Sequence, residues 1–281
     1  MPLSRFICPD DQEVLITQCI TQCRMKERCA PMPYLRACAD YRVWTGAPSV
    51  TQLIKGTREA YLLIKEEYAV RPENEAFALF GTGIHKALEE YSSQDDYSEL
   101  DTKMELNGIT ITGTADYLQK EGDYFTLIDY KTSGAFKIKK ALGMKKRTET
   151  LVNGSKRTWY ELVPQDADMD EWVYQINMYR IMIEREMPEV CINKQNVFAI
   201  ARDGGLKATR DYGIESNIYT IPVPIINEEI VLDYFSRKAK RLMDAVDRDE
   251  LPPLCEPNEC WHGRKCAKYC NVFQYCGGYD G

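Results

Sequence analysis

Long apolar runs are missing from this chain of 281 residues. Its uninterrupted apolar stretches, such as Tyr61-Leu62-Leu63-Ile64, fall far short of the ~20 residues a membrane-spanning helix requires. An excess of positive charge is missing as well: 36 Lys and Arg stand against 43 Asp and Glu, a net charge of -7. On average that argues against a partner whose phosphates must be met by cations. The first residues turn acidic after only a short apolar start, without the apolar region and small-residue cleavage site of a secretory signal, so a cytoplasmic setting is expected. What is present is a hydrophobic content of 44%, enough for one large domain or two small ones and too much for a chain whose main state is disorder. Eleven cysteines are also present. In a reducing compartment they are expected to bind metal or be buried, not to form disulfides.

The cysteines divide the chain. Five lie within residues 1–46 and five within 251–281, with Cys191 alone between them. This suggests cysteine-rich modules at 1–46 and 251–281 around a central domain at 47–250. In that domain, helical periodicity covers 49–68, with Ser49 or Thr51 as N-cap, and a second helix is expected over about 74–91. The period then changes to two. Residues 103–106, a turn at Asn107-Gly108, residues 109–118, a turn at Gly122-Asp123 and residues 124–131 read as three antiparallel strands. A helix over 169–185, a strand over 196–202, an edge hairpin through 218–223 and a helix over 228–246 follow. The order α-β-β-β-α-β predicts an α/β (mixed α+β) fold, a central mixed sheet flanked by helices.

Between the third strand and the next helix the charge inverts. Residues 132–160 hold Lys137, Lys139, Lys140, Lys145, Lys146, Arg147, Lys156 and Arg157 against the single acid Glu149, +7 locally and -14 for the rest. A charge run alone reads as a solvated loop. At the rim of a catalytic sheet it becomes a clamp for phosphates of any sequence, with Phe136 and Trp159 available for stacking on bases.

If Gly122-Asp123 is a two-residue turn, paired positions sum to 245, which sets Asp116 opposite Asp129 and Leu118 opposite Leu127. Two carboxylates that close repel unless a cation lies between them, and hard oxygen ligands suit Mg²⁺ or Mn²⁺. Lys131 projects from the same face, where an ammonium can orient an attacking water and offset charge on a phosphate. The plainer reading is a cross-strand ion pair of Asp116 and Lys131 with Asp129 on a solvated face.

Taken together, Gly113-Thr114-Ala115-Asp116 and Ile128-Asp129-Tyr130-Lys131-Thr132 resemble the split metal site of the PD-(D/E)XK nucleases. Gln175-Ile176-Asn177-Met178-Tyr179 is similar to the Gln-x-x-x-Tyr motif of the RecB-type branch, which includes RecB and AddB nuclease domains and CRISPR-adaptation exonucleases. Gly81-Thr82-Gly83-Ile84-His85 resembles that branch's upstream histidine helix, and Ser49-Val50-Thr51-Gln52-Leu53 its opening helix. The resemblance spans residues 49–201 with the motifs in order. It implies a restriction-endonuclease-like core, metal held by His85, Asp116, Asp129 and the Tyr130 carbonyl, and Lys131 as the catalytic lysine. It also implies that Gln175 holds a phosphate or that lysine, supported by Tyr179. Without it, His85 reads as a packed or solvated helical histidine, and Gln175 and Tyr179 as a core stripe.

Cys19-x3-Cys23-x5-Cys29 and Cys266-x3-Cys270-x5-Cys276 repeat one spacing. With Cys8 and Cys260 added they make two four-cysteine sets suited to Zn²⁺ or to an iron-sulfur cluster. The family resemblance implies a 4Fe-4S cluster on the C-terminal trio and a cysteine of the opening helix. This chain reads Gly56-Thr57-Arg58 there, so structural zinc is placed first and Cys255, Cys260 or an N-terminal cysteine is a replacement ligand.

The reading is a Mg²⁺- or Mn²⁺-dependent deoxyribonuclease, an exonuclease by analogy, acting on single- or double-stranded DNA in recombination, repair or processing, alone or with a protein partner. The rival is a non-catalytic nucleic-acid-binding protein with structural metal sites.

Overall fold

The computed structural model describes residues 3–41 and 43–278. Its strands and helices in chain order are β1 (Leu3–Ile7), β2 (Glu13–Leu15), α1 (Ile16–Thr21), α2 (Met32–Cys38), α3 (Val50–Ile54), α4 (Thr57–Lys65), β3 (Tyr68–Val70) and α5 (Ala76–Glu89). Then come β4 (Tyr97–Leu106), β5 (Ile109–Glu121), β6 (Tyr124–Ser133), α6 (Ala135–Ala141), β7 (Met144–Thr150) and β8 (Lys156–Leu162). The rest are α7 (Asp170–Glu186), β9 (Ile192–Ala201), α8 (Lys207–Arg210), β10 (Ile218–Pro222), α9 (Glu228–Arg248) and α10 (Arg264–Lys268). Among the described residues no helix is long and apolar enough to cross a membrane.

Five strands form a mixed sheet in the order β10-β9-β6-β5-β4. Asn107 (φ 52°) and Gly108 (φ 78°) both turn left-handed between β4 and β5, as an Asn-Gly turn of the mirror-image type requires. Strands β5 and β6 pair in the expected register, from Tyr117 opposite Ile128 to Glu121 opposite Tyr124. Parallel pairing of β6 with β9 sets Leu127 beside Gln195, Asp129 beside Val197 and Lys131 beside Ala199. Helices α6 and α7 lie in the crossover, as parallel pairing demands, and pack on β6 and β9. Leu118, Leu127, Val197, Ala199, Ile138, Ile176 and Met178 are all essentially inaccessible, so this sheet carries the core expected of strands covered by helices.

By its contacts the chain forms two compact units. One comprises residues 1–83, 103–113 and 232–281, the other 84–102 and 114–231. The first holds a small sheet, β2-β1-β3, with β1 antiparallel to β2 and parallel to β3. Leu3, Phe6, Val14, Leu35 and Val70 pack there with Cys8, Cys19 and Cys38. None of these strands is marked by a long alternating pattern, which is why the sequence reads them only as a cysteine-rich stretch.

The helix expected over 49–68 is two helices. Ser49 opens α3 with a capping box, its side chain accepting from the Gln52 N–H while the Gln52 side chain accepts from the Ser49 N–H. The chain then goes extended at Lys55 and restarts at Thr57. Gly56, at the break, has no room for a side chain, because a Cβ there would overlap Cys255 Sγ. The C-terminal segment is fastened to the first unit by Lys238–Glu259 and Lys265–Glu59 ion pairs, both largely buried, and by the Arg58 guanidinium donating to the carbonyls of Pro252 and Cys276.

Candidate active site

The register that pairs Leu118 with Leu127 and Tyr117 with Ile128 leads, one residue beyond, to Asp116 and Asp129. Both are withdrawn from water, Asp129 at 2% exposure and the Asp116 side chain at 12%. The solvated sheet face of the plainer reading is therefore absent. Its ion pair is partly present, since Lys131 Nζ lies 2.5 Å from Asp129 Oδ2. Apart from that ammonium, no hydrogen bond satisfies this buried oxygen. A buried carboxylate oxygen in that condition is costly unless a cation takes it.

Helix α5 brings His85 to the same place. Its Nε2 lies 3.1 Å from the Tyr130 carbonyl oxygen, and its Nδ1 lies 3.6 Å from Asp116 Oδ1 and 3.7 Å from Glu99 Oε1. Ligand atoms of His85, Glu99 and Asp116 all fall within 4.8 Å of one another. The other Asp116 oxygen accepts the Tyr130 N–H at 2.7 Å, which fixes the carboxylate against β6. The tyrosine ring closes one side of the site, edge-on to His85 and stacked on Tyr117.

Glu99 is the residue the sequence does not reveal. It lies on β4, upstream of the residues whose alternation announces that strand, and its backbone is left-handed (φ 46°). That conformation is uncommon outside glycine and is tolerated where surrounding structure demands it. It turns an acid that would read as a loop residue toward His85.

Helix α7 supplies Gln175 and Tyr179 one turn apart. The Gln175 amide donates to Asp129 Oδ1 at 3.1 Å and toward the Tyr179 hydroxyl at 3.4 Å. Here the geometry departs from one of the two expected roles, the contact with the lysine. Gln175 holds the Asp129 carboxylate, not the lysine, because Asp129 projects toward α7 from the strand on which that helix packs.

The electrostatics follow from burial and crowding. Burial first, and the Asp129 charge second, push the Asp116 carboxyl up to about 8 against the opposing pull of Lys131 and of the Tyr130 N–H. Burial raises the Glu99 carboxyl also. For Lys131 burial opposes the charge, but Asp129 and Asp116 outweigh it and hold the ammonium above the usual lysine value. Three carboxyl groups, an imidazole and a backbone carbonyl around one lysine are thus so crowded that Asp116 is held neutral while no ion is bound. That donor set fits a hard divalent ion such as Mg²⁺ or Mn²⁺.

The basic segment is not a loop. Lys137, Lys139 and Lys140 lie on α6, Lys145, Lys146 and Arg147 on β7, and Lys156 and Arg157 on β8, which pairs with β7 as an exposed two-stranded arm. Its positive field is partly spent. Lys137 faces Glu171, Lys140 faces Asp168, Lys145 faces Asp166 and Arg147 faces Glu161. Lys139 lies over the rings of Tyr160 and Tyr212. Among the described residues Lys146, Lys156 and Arg157 form no ion pair, though Arg157 stands opposite Glu149 across the ladder, and Phe136 and Trp159 are 48% and 41% exposed.

Cys255, Cys260, Cys266, Cys270 and Cys276 line one recess together with Leu62, Val272 and Phe273. Burial raises the thiols of Cys255, Cys266 and Cys270, the last to about 11. Cys255 Sγ fills the space where a side chain from residue 56 would otherwise stand. The Cys255 thiol thus stands beside the opening helix at the position where this chain has Gly56. None of the cysteines forms a disulfide.

No family model matches this chain, and no curated protein matches it. Among solved structures it is similar to SSO0001, at 16% identity and a TM-score of 0.44 over 86% of this chain and 90% of that one. It is also similar to a candidate exonuclease from Eubacterium rectale, at 9% identity and a TM-score of 0.37 over 83% of this chain and 94% of that one. Both are distant, and the functional reading rests on the site itself.

Proposed function

We propose that this chain is a divalent-metal-dependent deoxyribonuclease of the PD-(D/E)XK type, RecB-like in its branch, that hydrolyses phosphodiester bonds. One observation carries the reading: Asp116, Asp129 and Lys131 converge on one buried face with His85, the Tyr130 carbonyl and Gln175 around them. A charged group withdrawn from water costs free energy that fold stability alone does not repay, which makes such a cluster a functional-site signal.

His85, Glu99, Asp116, Asp129 and the Tyr130 carbonyl would hold Mg²⁺ or Mn²⁺. The ion would stabilise charge on a phosphoryl oxygen and draw the substrate into register. Lys131 orients the attacking water and offsets negative charge growing on the phosphate. Asp129 keeps the ammonium in place, and Gln175, backed by Tyr179, keeps Asp129 in its rotamer. Water adds to phosphorus, the P–O ester bond breaks, and the departing oxygen takes up a proton. The β7–β8 arm follows the backbone through Lys146, Lys156 and Arg157 and is indifferent to base sequence. The exonuclease mode is preferred by analogy with the branch the motifs resemble. The recess of five cysteines is proposed to hold a thiophilic metal group, structural zinc or a 4Fe-4S cluster, that fastens the C-terminal segment.

End-labelled single- and double-stranded DNA incubated with and without Mg²⁺ or Mn²⁺ tests the proposal. Metal-dependent release of short labelled products is expected, and a ladder that starts at the end supports the exonuclease mode. Tight DNA binding with no cleavage under any divalent ion would favour the rival, a non-catalytic binding protein.

A further inference from the structure

The nuclease reading leaves the N-terminal cysteines without a role. In the first unit, Cys8 opens the turn between β1 and β2, where its N–H donates to the Gln12 carbonyl and its own carbonyl accepts from the Asp11 N–H. Cys19 lies on α1 with its side chain buried, Cys23 follows two residues after that helix ends, and Cys29 closes the loop that leads to α2. Cys8 and Cys19 belong to one buried cluster, and Cys29 lines a cavity with Ile7 and Pro9, the residues on either side of Cys8.

The loop itself is the telling feature. Among the described residues, none from 23 to 30 makes a backbone–backbone hydrogen bond. What holds it are side chains. Arg24 clasps both oxygens of Asp10 in the β1–β2 turn at 2.7 Å, and Arg28 donates to the carbonyls of Cys19 and Ile20. A segment without its own backbone pairing needs an organiser of another kind. The charge supports a specific one. Four thiolates on a divalent ion leave a net charge of -2, and the loop between Cys23 and Cys29 carries Arg24, Lys26 and Arg28 against the single acid Glu27. Cations at that position stabilise thiolates and offset the excess charge of the complex.

We propose that Cys8, Cys19, Cys23 and Cys29 bind one zinc ion, a structural site separate from the carboxylate centre and from the C-terminal recess. Among the described residues no three of these sulfurs lie within 4.8 Å of one another, so the set is more open than a zinc–thiolate tetrahedron, whose edge is ~3.8 Å. Rotation of the less buried Cys23 and Cys29 side chains closes the site around the ion. The bound ion then takes the place of the missing backbone hydrogen bonds and fixes the loop against the β1–β2 turn.

Thiol mapping on the unmodified full chain tests this without any variant. Cys29 and Cys191 are both exposed, and Cys191 belongs to no cysteine group, so it serves as the internal standard. In protein purified without chelator, Cys29 should alkylate at least about tenfold more slowly than Cys191, and a zinc chelator should abolish the difference. Alkylation of Cys29 at the rate of Cys191 before chelation would overturn the proposal. The Cys23→Ser/Cys29→Ser variant adds a second readout. It should contain one equivalent of zinc fewer than the parent protein, with any metal in the C-terminal recess retained and metal-dependent DNA cleavage preserved. Unchanged zinc content, or iron lost in place of zinc, would also overturn it.

Discussion

Asp116 shows most directly how burial governs the site. Its carboxyl is raised from an ordinary 3.8 to about 8 by burial and by Asp129, so the metal-free fold prefers the neutral acid. A raised acid contributes stability that is complete below pH 3.8 and is lost as the pH climbs through about 8. The melting temperature of metal-free protein should therefore decline across that window, with Asp116→Asn showing a flatter profile. Equal slopes for the two proteins would contradict the assignment. Lys131→Ala should lower the cleavage rate by a large factor, on the order of 10² or more, while leaving the Mg²⁺ requirement in place, because its proposed work lies with water and transition-state charge. Gln175→Ala should cost less, since it acts through Asp129, and Gln175→Glu should be worse than alanine because it adds a fourth carboxylate to a crowded site. The opposed aspartates were legible in the sequence because a two-residue turn fixes register, so that a sum of 245 at the turn holds along the ladder. Glu99 was not, because its place depends on one left-handed backbone angle that no composition or period announces.

At the scale of elements, the β7–β8 arm carries a prediction of its own. Of its cations, Lys145 and Arg147 already form ion pairs, whereas among the described residues Lys146, Lys156 and Arg157 do not. Replacing the latter three with alanine should lower the slope of log affinity against log salt by up to ~3, near 0.9 for each duplex phosphate no longer neutralised. Replacing Lys145 and Arg147 should change it less. The reverse order would show that the ion pairs open on binding. The arm's charge was plain in the sequence and its shape was not, since residues 144–150 and 156–162 are nearly all exposed and carry no buried alternation to mark them as strands. Helices α3 and α4 present the complementary case. Their periodicity was legible, but the need for glycine at the break comes from a cysteine 199 positions further along the chain. Gly56→Ala should displace Cys255, destabilise the protein by about 1–3 kcal/mol and reduce the metal content of the C-terminal recess. A variant with the parent's melting temperature and metal content would show that Cys255 moves freely.

For the whole molecule, the net charge of -7 and the proposed work on a polyanion are reconciled by distribution. Cations gather on α6 and the β7–β8 arm, and Glu99, Asp116 and Asp129 gather around the proposed metal site. The mixed sheet and the helix packed on it bring Asp116, Asp129, Lys131 and the α7 glutamine together from segments separated by up to 59 positions, which the crossover between parallel β6 and β9 achieves. The central claim, that the buried carboxylates serve an ion and the arm serves the DNA backbone, is tested most directly with one variant. Asp116→Ala is assayed for single-turnover cleavage of end-labelled DNA in Mg²⁺ and, separately, for DNA binding in EDTA. The account predicts that cleavage is abolished while binding in EDTA matches the parent protein. Cleavage at the parental rate would contradict it.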